Sequence, residues 1–218
     1  MSWAALTSGG KDSILAVQKA VDAGMHVSHL VTVVPKNPES YMFHSANLAA
    51  VPVMAERCGA EYVEIASAGE KELEVADMEK GLAALPVEGI IAGAVESEYQ
   101  RSRVAAVCER LGLKMYAPLW KMDPLTLMRE VASRMDAVIV VCAADGLGDN
   151  VLGRKIDDAL IDVLLSVQKS RRIHLAGEGG EYESLVLNAP CFSAPLNCSE
   201  MRSRYEGLRG EVSIERFW

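Results

Sequence analysis

The sequence predicts an α/β protein, in which a parallel sheet flanked by helices fills the first half and a second, smaller α/β domain follows. Three observations predict it. Short apolar runs alternate with amphipathic stretches up to about residue 117, the pattern of successive βα units. A glycine-rich turn separates the first apolar run from the first helical face. With 218 residues, 50% of them hydrophobic and 24% charged, the chain can bury a full core and stay in solution.

Trp3 to Leu6 reads as the first strand, and Ile14, Val17 and Val21 recur at helical spacing after the turn, giving one apolar face. Gly24 suits the left-handed residue that ends such a helix. Val27 to Val34 is the second strand, followed by a polar stretch, Pro35 to Asn47, and a helix ending near Cys58-Gly59. Tyr62 to Ile65 is the third strand, Glu70 to Leu85 a charged helix, and Val87 to Ala92 the fourth strand, with Gly93-Ala94 turning directly after it.

Ser97-Glu98-Tyr99-Gln100 has the form of a capping box, so a helix should run from there to about Leu111. Leu113 to Ala117 supplies a fifth strand. The division into domains is expected at 118/119, before Leu119-Trp120. Asp123-Pro124 then reads as N-cap and first residue of a helix to Arg134, ahead of an apolar strand at Ala137 to Cys142. The helix Ile156 to Val167 is assigned to the internal core, with a subunit interface in a homodimer as its alternative use.

No window approaches the roughly 18 consecutive apolar residues of a membrane span, and the N-terminus lacks a basic region followed by a long apolar one. The five cysteines are scattered without a CxxC pair, so reduced thiols in a cytoplasmic protein are expected rather than disulfides or a zinc site. With 22 basic against 30 acidic residues and a net charge of −8, wholesale neutralisation of a nucleic-acid backbone is not expected. The strip Lys169 to Arg172 reads as a solvated helix face.

The strongest local signal is Ser8-Gly9-Gly10-Lys11-Asp12-Ser13, between a predicted strand and a predicted helix. Residues without Cβ let backbone N–H groups close around phosphate oxygens, and the helix N-terminus adds positive potential. Lys11 adds a full charge, Asp12 suits a magnesium ion on the phosphates, and the serines supply hydroxyls. The segment is neither GxxxxGK[ST] nor GxGxxG.

A second cluster, His174-Leu175-Ala176-Gly177-Glu178-Gly179-Gly180-Glu181-Tyr182-Glu183-Ser184, packs three carboxylates and a tyrosine into a glycine-rich loop. Carboxylates so close repel one another unless they meet a cation, an amine or hydrogen-bond donors. An ammonium or metal site is one reading; a solvated acidic turn is the other. Because ligands in open α/β sheets collect beyond the carboxyl ends of the strands, the first turn of the helix after Ser97 should face the crevice of Ser8 to Ser13.

SGGKDS resembles the pyrophosphate loop of the N-type ATP pyrophosphatases. Taken with Ser40-Tyr41-Met42-Phe43-His44, Gly93, Glu98 to Arg103, Ala117 to Trp120 and GEGGEYES with Asn188-Ala189-Pro190, the chain resembles the diphthine–ammonia ligase family. The matches fall in family order over nearly the whole chain, and the acidic loop is the most specific of them. Ala176 stands where that family often has cysteine, which argues against an essential thiol there, and Val95 to Glu98 is more acidic than its usual pattern.

The resemblance implies a HUP (Rossmann-like) nucleotide-binding domain over 1–118, with 119–218 as the smaller domain carrying the acidic loop. It implies ATP and magnesium as cofactors, and amidation of the diphthine carboxylate on translation elongation factor 2 to diphthamide, through an acyl-adenylate that ammonia attacks. No glutaminase domain fits within 218 residues, so free ammonium is the expected nitrogen source. Ser8 to Ser13 and Gly93 would hold the nucleotide, with Lys11 stabilising the departing pyrophosphate. Glu178, Glu181 and Glu183 would attract ammonium and one would take its proton, with nothing to rank them. Arg101 or Arg103 would grip a phosphate or the substrate carboxylate, with a surface ion pair as the alternative. His44, Tyr99, Gln100 and Tyr182 would contact substrate, although a histidine in a polar loop also serves as a plain hydrogen-bonding residue and both tyrosines can be packed rings. Two rival functions remain open: an ATP-dependent tRNA-modifying enzyme with the same pyrophosphate loop, and an ATP-binding sensor that releases no AMP.

Overall fold

Apolar, β-branched runs in the first half form five parallel strands in the computed structural model, which describes residues 1–35, 47–67 and 73–218. Strand β1 (Ser2–Leu6) pairs with β2 (His26–Pro35) on one side and β4 (Gly89–Ile91) on the other. Strands β3 (Glu61–Ser67) and β5 (Lys114–Tyr116) complete the order β3-β2-β1-β4-β5. The chain moves outward in one direction from β1 to β3 and then crosses back, so the order reverses between β1 and β4. That reversal opens a crevice at the carboxyl ends of these two strands, where ligands of open α/β sheets bind.

The central strands β1, β2 and β4 are buried on both sides, as the interior of a parallel sheet requires, and the edge strands β3 and β5 are partly exposed. Ala4, Val31, Val33 and Ile90 join Met78, Leu82, Val104 and Val107 on one face, which the helices α3 (Leu73–Ala83) and α4 (Glu98–Leu111) cover. Trp3, Ala5, Leu30 and Ile91 join the other face, where α1 (Lys11–Asp22) and α2 (Val51–Cys58) pack. Val21 is 42% exposed, contrary to the apolar face expected of α1. The last turn of that helix runs into solvent, and Asp22, Ala23 and Gly24 are exposed with it. Gly24 adopts φ 76 just beyond the helix, as its position suggested.

The second half is built on an antiparallel sheet. Its order is β7 (Tyr182–Asn188), β6 (Asp136–Cys142), β9 (Arg209–Ser213), β8 (Arg202–Glu206). The helices α5 (Pro124–Arg134) and α6 (Asp158–Ser170) pack against each other, and α5 against β6. Asp123 caps α5, its carboxylate accepting from the Thr126 N–H at 2.8 Å. In α6, Leu160, Ile161 and Leu164 are buried in the core, the internal use expected of that helix. One core runs continuously from Trp3 and Leu15 of the first half to Ile139, Leu164 and Val212 of the second. Among the described residues no helix is long and apolar enough to cross a membrane.

Candidate active site at the sheet switch point

Thr7 shapes the turn that follows β1. Its N–H continues the parallel pairing to Val31 O at 2.9 Å, and its carbonyl accepts from the Thr32 hydroxyl at 2.9 Å. Its own hydroxyl oxygen accepts the Gly9 N–H at 2.9 Å and lies 2.8 Å from the Ser13 Oγ. Because the Ser13 hydroxyl donates to Gly10 O at 3.0 Å, the Thr7 hydroxyl is left to donate to Ser13. These bonds close the SGGKDS segment onto the start of α1. Gly9 has φ 81 with Met54 packed against it, a conformation and a space that exclude a side chain. Gly10 is the N-cap and brings no side-chain cap, so the helix presents its N–H groups and positive dipole potential to the crevice.

Gly93, directly beyond β4, closes the other side. A Cβ there would stand 2.7 Å from the Asp12 carbonyl carbon and the Ser13 nitrogen. A glycine is therefore required by the approach of two backbone segments, and the close fit sets the shape of the crevice.

The acidic loop from the second half caps this crevice. The Lys11 N–H donates to Ser184 Oγ at 3.1 Å, and the Val186 N–H donates to Gly9 O at 3.0 Å. Lys11 is only 4% exposed, and its ammonium donates to Ala176 O at 2.6 Å and Asp12 Oδ2 at 2.8 Å. The ammonium also lies 5.3 Å from the centre of the Tyr182 ring, within cation–π range. The result is a cavity of about 570 Å³, a volume in the range of small-molecule sites. Its walls include Ser8, Gly10, Lys11, Asp12, Ser13, Gly93, Tyr99, Gln100, Glu178, Tyr182, Glu183 and Ser184.

The three carboxylates of the loop have separate environments. Glu178 lines the cavity, and its carboxyl is held above its ordinary range, first by burial and then by the charge of Asp12. Its Oε2 accepts from the Glu96 N–H at 3.3 Å. Glu183 also lines the cavity. Glu181 does not, contrary to expectation: its two oxygens accept the His174 and Gly179 N–H groups at 2.7 and 2.9 Å, so it ties the loop to itself. Tyr182 is 3% exposed, donates its hydroxyl to Leu175 O at 2.7 Å, and is pushed well above the usual tyrosine range by burial.

Neither Arg101 nor Arg103 lines the cavity. Gln100 and Val104 of the same helix line the cavity, whereas both guanidinium groups turn onto neighbouring aromatic rings. The Arg101 guanidinium lies 4.7 Å from the Trp120 ring centre and 3.4 Å from Glu98 Oε1. That of Arg103 sits 3.4 Å over Tyr99, in a groove between α3 and α4. His44 lies outside the described residues. Sequence reasoning assigned no role to Thr7, to Ser184 as a loop anchor, or to His174 within the acidic motif. The first two carry a readable signal, since a threonine before a glycine pair supports a side-chain turn and Ser184 belongs to the acidic motif.

Asp12 Oδ1 is buried without a hydrogen-bond partner among the described residues. A carboxylate oxygen left open beside a phosphate-shaped loop suits a hard divalent cation whose other ligands come from phosphate and water. The residues present therefore fit magnesium, with Asp12 as its holder.

Residues 1–115 match the family model described as diphthamide synthase N-terminal domain, and residues 123–218 match the diphthamide synthase C-terminal domain. The chain belongs to the diphthamide synthase family. Relatives of the family named diphthine–ammonia ligase include that of Bos taurus, 34% identical over all of this chain and 91% of its own length. The Schizosaccharomyces pombe protein of the same name is 33% identical over 95% of this chain, which spans only 37% of that longer relative. The solved structure of a predicted tRNA methyltransferase subunit from Methanocaldococcus jannaschii aligns with a TM-score of 0.49 and 17% identity, over 87% of this chain and 98% of that one.

Proposed function

We propose that this chain is an ATP-dependent carboxylate–ammonia ligase that amidates the diphthine carboxylate of translation elongation factor 2, releasing AMP and pyrophosphate. The observation that carries the reading is the meeting of the two motifs in one cavity, where Lys11 of the pyrophosphate-type loop donates to Ala176 O beside Glu178 of the acidic loop. The relatives named diphthine–ammonia ligase support it. In this reading residues 1–118 form the nucleotide domain and 119–218 the substrate domain, and the protein substrate puts the reaction in the cytoplasm.

A carboxylate loses its oxygen poorly, so ATP first converts it to an acyl-adenylate, whose AMP is a good leaving group. The Ser8 to Ser13 segment binds the phosphates at the positive end of α1, with the Ser8 hydroxyl as a donor, and Lys11 offsets the charge that develops as pyrophosphate departs. Asp12 would hold magnesium, which supplies charge neutralisation on the phosphates. Tyr99 and Gln100 line the side of the cavity open to the substrate. Glu178 is the acidic residue best suited to receive ammonium and take its proton, because it reaches the cavity and burial makes its carboxylate a stronger base. Glu183 shares the wall as a second negative charge.

The test is incubation with magnesium, ATP, ammonium and elongation factor 2 carrying diphthine, following AMP and the acid-to-amide mass change together. Amide that requires every component and is lost in Lys11→Ala supports the reading. AMP without amide redirects it to another acceptor, tRNA included, and ATP binding without AMP overturns the ligase in favour of a sensor.

A further inference from the structure

One group at the root of the acidic loop has no part in the chemistry just described, yet it holds the backbone of the segment that carries Glu178. The His174 Nδ1 accepts the N–H of Ala176 at 3.2 Å and that of Glu178 at 3.4 Å. A ring nitrogen that accepts two donors carries no proton, so the imidazole proton resides on Nε2. That Nε2 faces Glu96 Oε2 at 3.5 Å. The Glu96 N–H in turn donates to Glu178 Oε2 at 3.3 Å. The His174 N–H is itself fixed by Glu181 Oε1 at 2.7 Å. Both residues gripped by the ring serve the site: Ala176 offers the carbonyl that holds the Lys11 ammonium at 2.6 Å, and Glu178 offers a carboxylate to the cavity.

We infer that His174 is a positioning residue for the ammonia half-reaction: its unprotonated Nδ1 folds residues 174–178 into the turn that aims Glu178 at the cavity, and its Nε2 links that turn to Glu96 at the foot of α4. The inference rests on the proposed function for the identity of the amine, and on geometry alone for the positioning. The imidazole stands between the two segments, its Nε2 facing the Glu96 carboxylate and its Nδ1 ordering the backbone around Glu178. Two chain segments from different halves of the molecule thus share one ring.

The test uses the full chain with His174→Ala, His174→Asn and His174→Gln, read in two ways. An asparagine oxygen can stand where Nδ1 accepts, whereas a glutamine amide reaches the Nε2 position and leaves the backbone N–H groups unserved. Amide hydrogen exchange over residues 174–180 should rise in His174→Ala and His174→Gln and return towards wild type in His174→Asn. In the amidation assay the ammonium concentration for half-maximal rate should rise about tenfold in His174→Ala, equivalent to about 1.4 kcal/mol, with the ATP requirement unchanged, and His174→Asn should recover most of the loss. Unchanged exchange in His174→Ala overturns the positioning role whatever the enzyme does. Equal losses for ATP and ammonium, or no rescue by asparagine, overturn the specific role and reduce the residue to loop stability. If the wild-type protein forms no amide from ammonium, the proposed function falls, while the exchange measurement still decides the positioning.

Discussion

Gly93→Ala adds one methyl group at the point where the two sides of the crevice meet. The new Cβ would lie 2.7 Å from the Asp12 carbonyl carbon and the Ser13 nitrogen, and 2.8 Å from Asp12 O. All three are backbone atoms at the start of α1, so no side chain can swing away and the helix N-terminus must move by several tenths of an ångström. Forcing a methylene-sized group into packed structure costs about 1–3 kcal/mol. For a chain of this length each kcal/mol lowers the midpoint by about 2–4 °C, so thermal unfolding should shift down by about 2–12 °C. The displaced atoms are those that would bind phosphate, so stabilisation by added magnesium-ATP should shrink more than the midpoint itself. Gly148→Ala is the control, since its added Cβ meets nothing nearer than Asn150 Oδ1 at 4.0 Å; it should leave stability within about 1 kcal/mol of wild type. Differential scanning fluorimetry with and without nucleotide reads both quantities. A Gly93→Ala protein with the wild-type midpoint and the full nucleotide shift would refute the close-approach argument.

Three further outcomes concern the acidic loop. Tyr182→Phe removes a buried hydroxyl and leaves Leu175 O without its 2.7 Å donor, so urea unfolding should report a loss of about 1–3 kcal/mol; an unchanged midpoint sinks this assignment. Glu181→Ala should destabilise by a similar amount, about 1–3 kcal/mol, by freeing two backbone N–H groups, yet leave the amidation rate at saturating ammonium unaltered, and a selective fall in that rate would make Glu181 a participant after all. Glu178 has its folded pKa raised above the ordinary 4.5, chiefly by burial. Its contribution to stability is therefore fully present below pH about 4.5 and is lost as pH rises through the folded value. The midpoint difference between Glu178→Gln and wild type should accordingly move in favour of the variant from pH 4 to pH 8, and a flat difference contradicts the burial.

Legibility in the sequence tracked how local each signal was. The capping of α4 by Ser97 and of α5 by Asp123, and the end of α1 at Gly24, depend on neighbours within a few residues and were readable. The hairpin of β8 and β9 was not. Arg202 to Glu206 is exposed at every position, so it shows no alternation between polar and apolar residues, and it is a strand only because β9 pairs with it across the sheet edge. The antiparallel direction of the second sheet was equally invisible, since pairing partners such as Cys142 and Tyr182 are distant in sequence. Within the site, residue type pointed to Arg101 and Arg103, but their guanidinium groups stack on Trp120 and Tyr99, and Gln100 and Val104 line the cavity instead. The acidic loop has no periodicity to exploit, so Glu178 and Glu181 look alike in sequence and differ only because one meets the cavity and the other meets backbone N–H groups.

Lys11 joins the two halves of the argument. A lysine that is 4% exposed carries a large desolvation cost, which is tolerable only when its charge is paired and hydrogen-bonded. Here the partners come from both motifs: the Asp12 carboxylate from its own loop, the Ala176 carbonyl and the Tyr182 ring from the acidic loop. The same ammonium that would meet a phosphate therefore also fixes the position of the loop that carries Glu178. Removing it leaves the Ala176 carbonyl unserved and takes from Asp12 its 2.8 Å partner, so the loss in Lys11→Ala combines missing charge at the phosphates with a displaced acidic loop. The two contributions separate in the ammonium dependence. Missing phosphate charge lowers the rate at every ammonium concentration, whereas a displaced Glu178 raises the concentration needed to reach half of whatever rate remains. Under the proposed function, a site assembled from two sheets in this way would have its nucleotide and amine halves tied through one buried cation, so neither motif alone would specify the reaction.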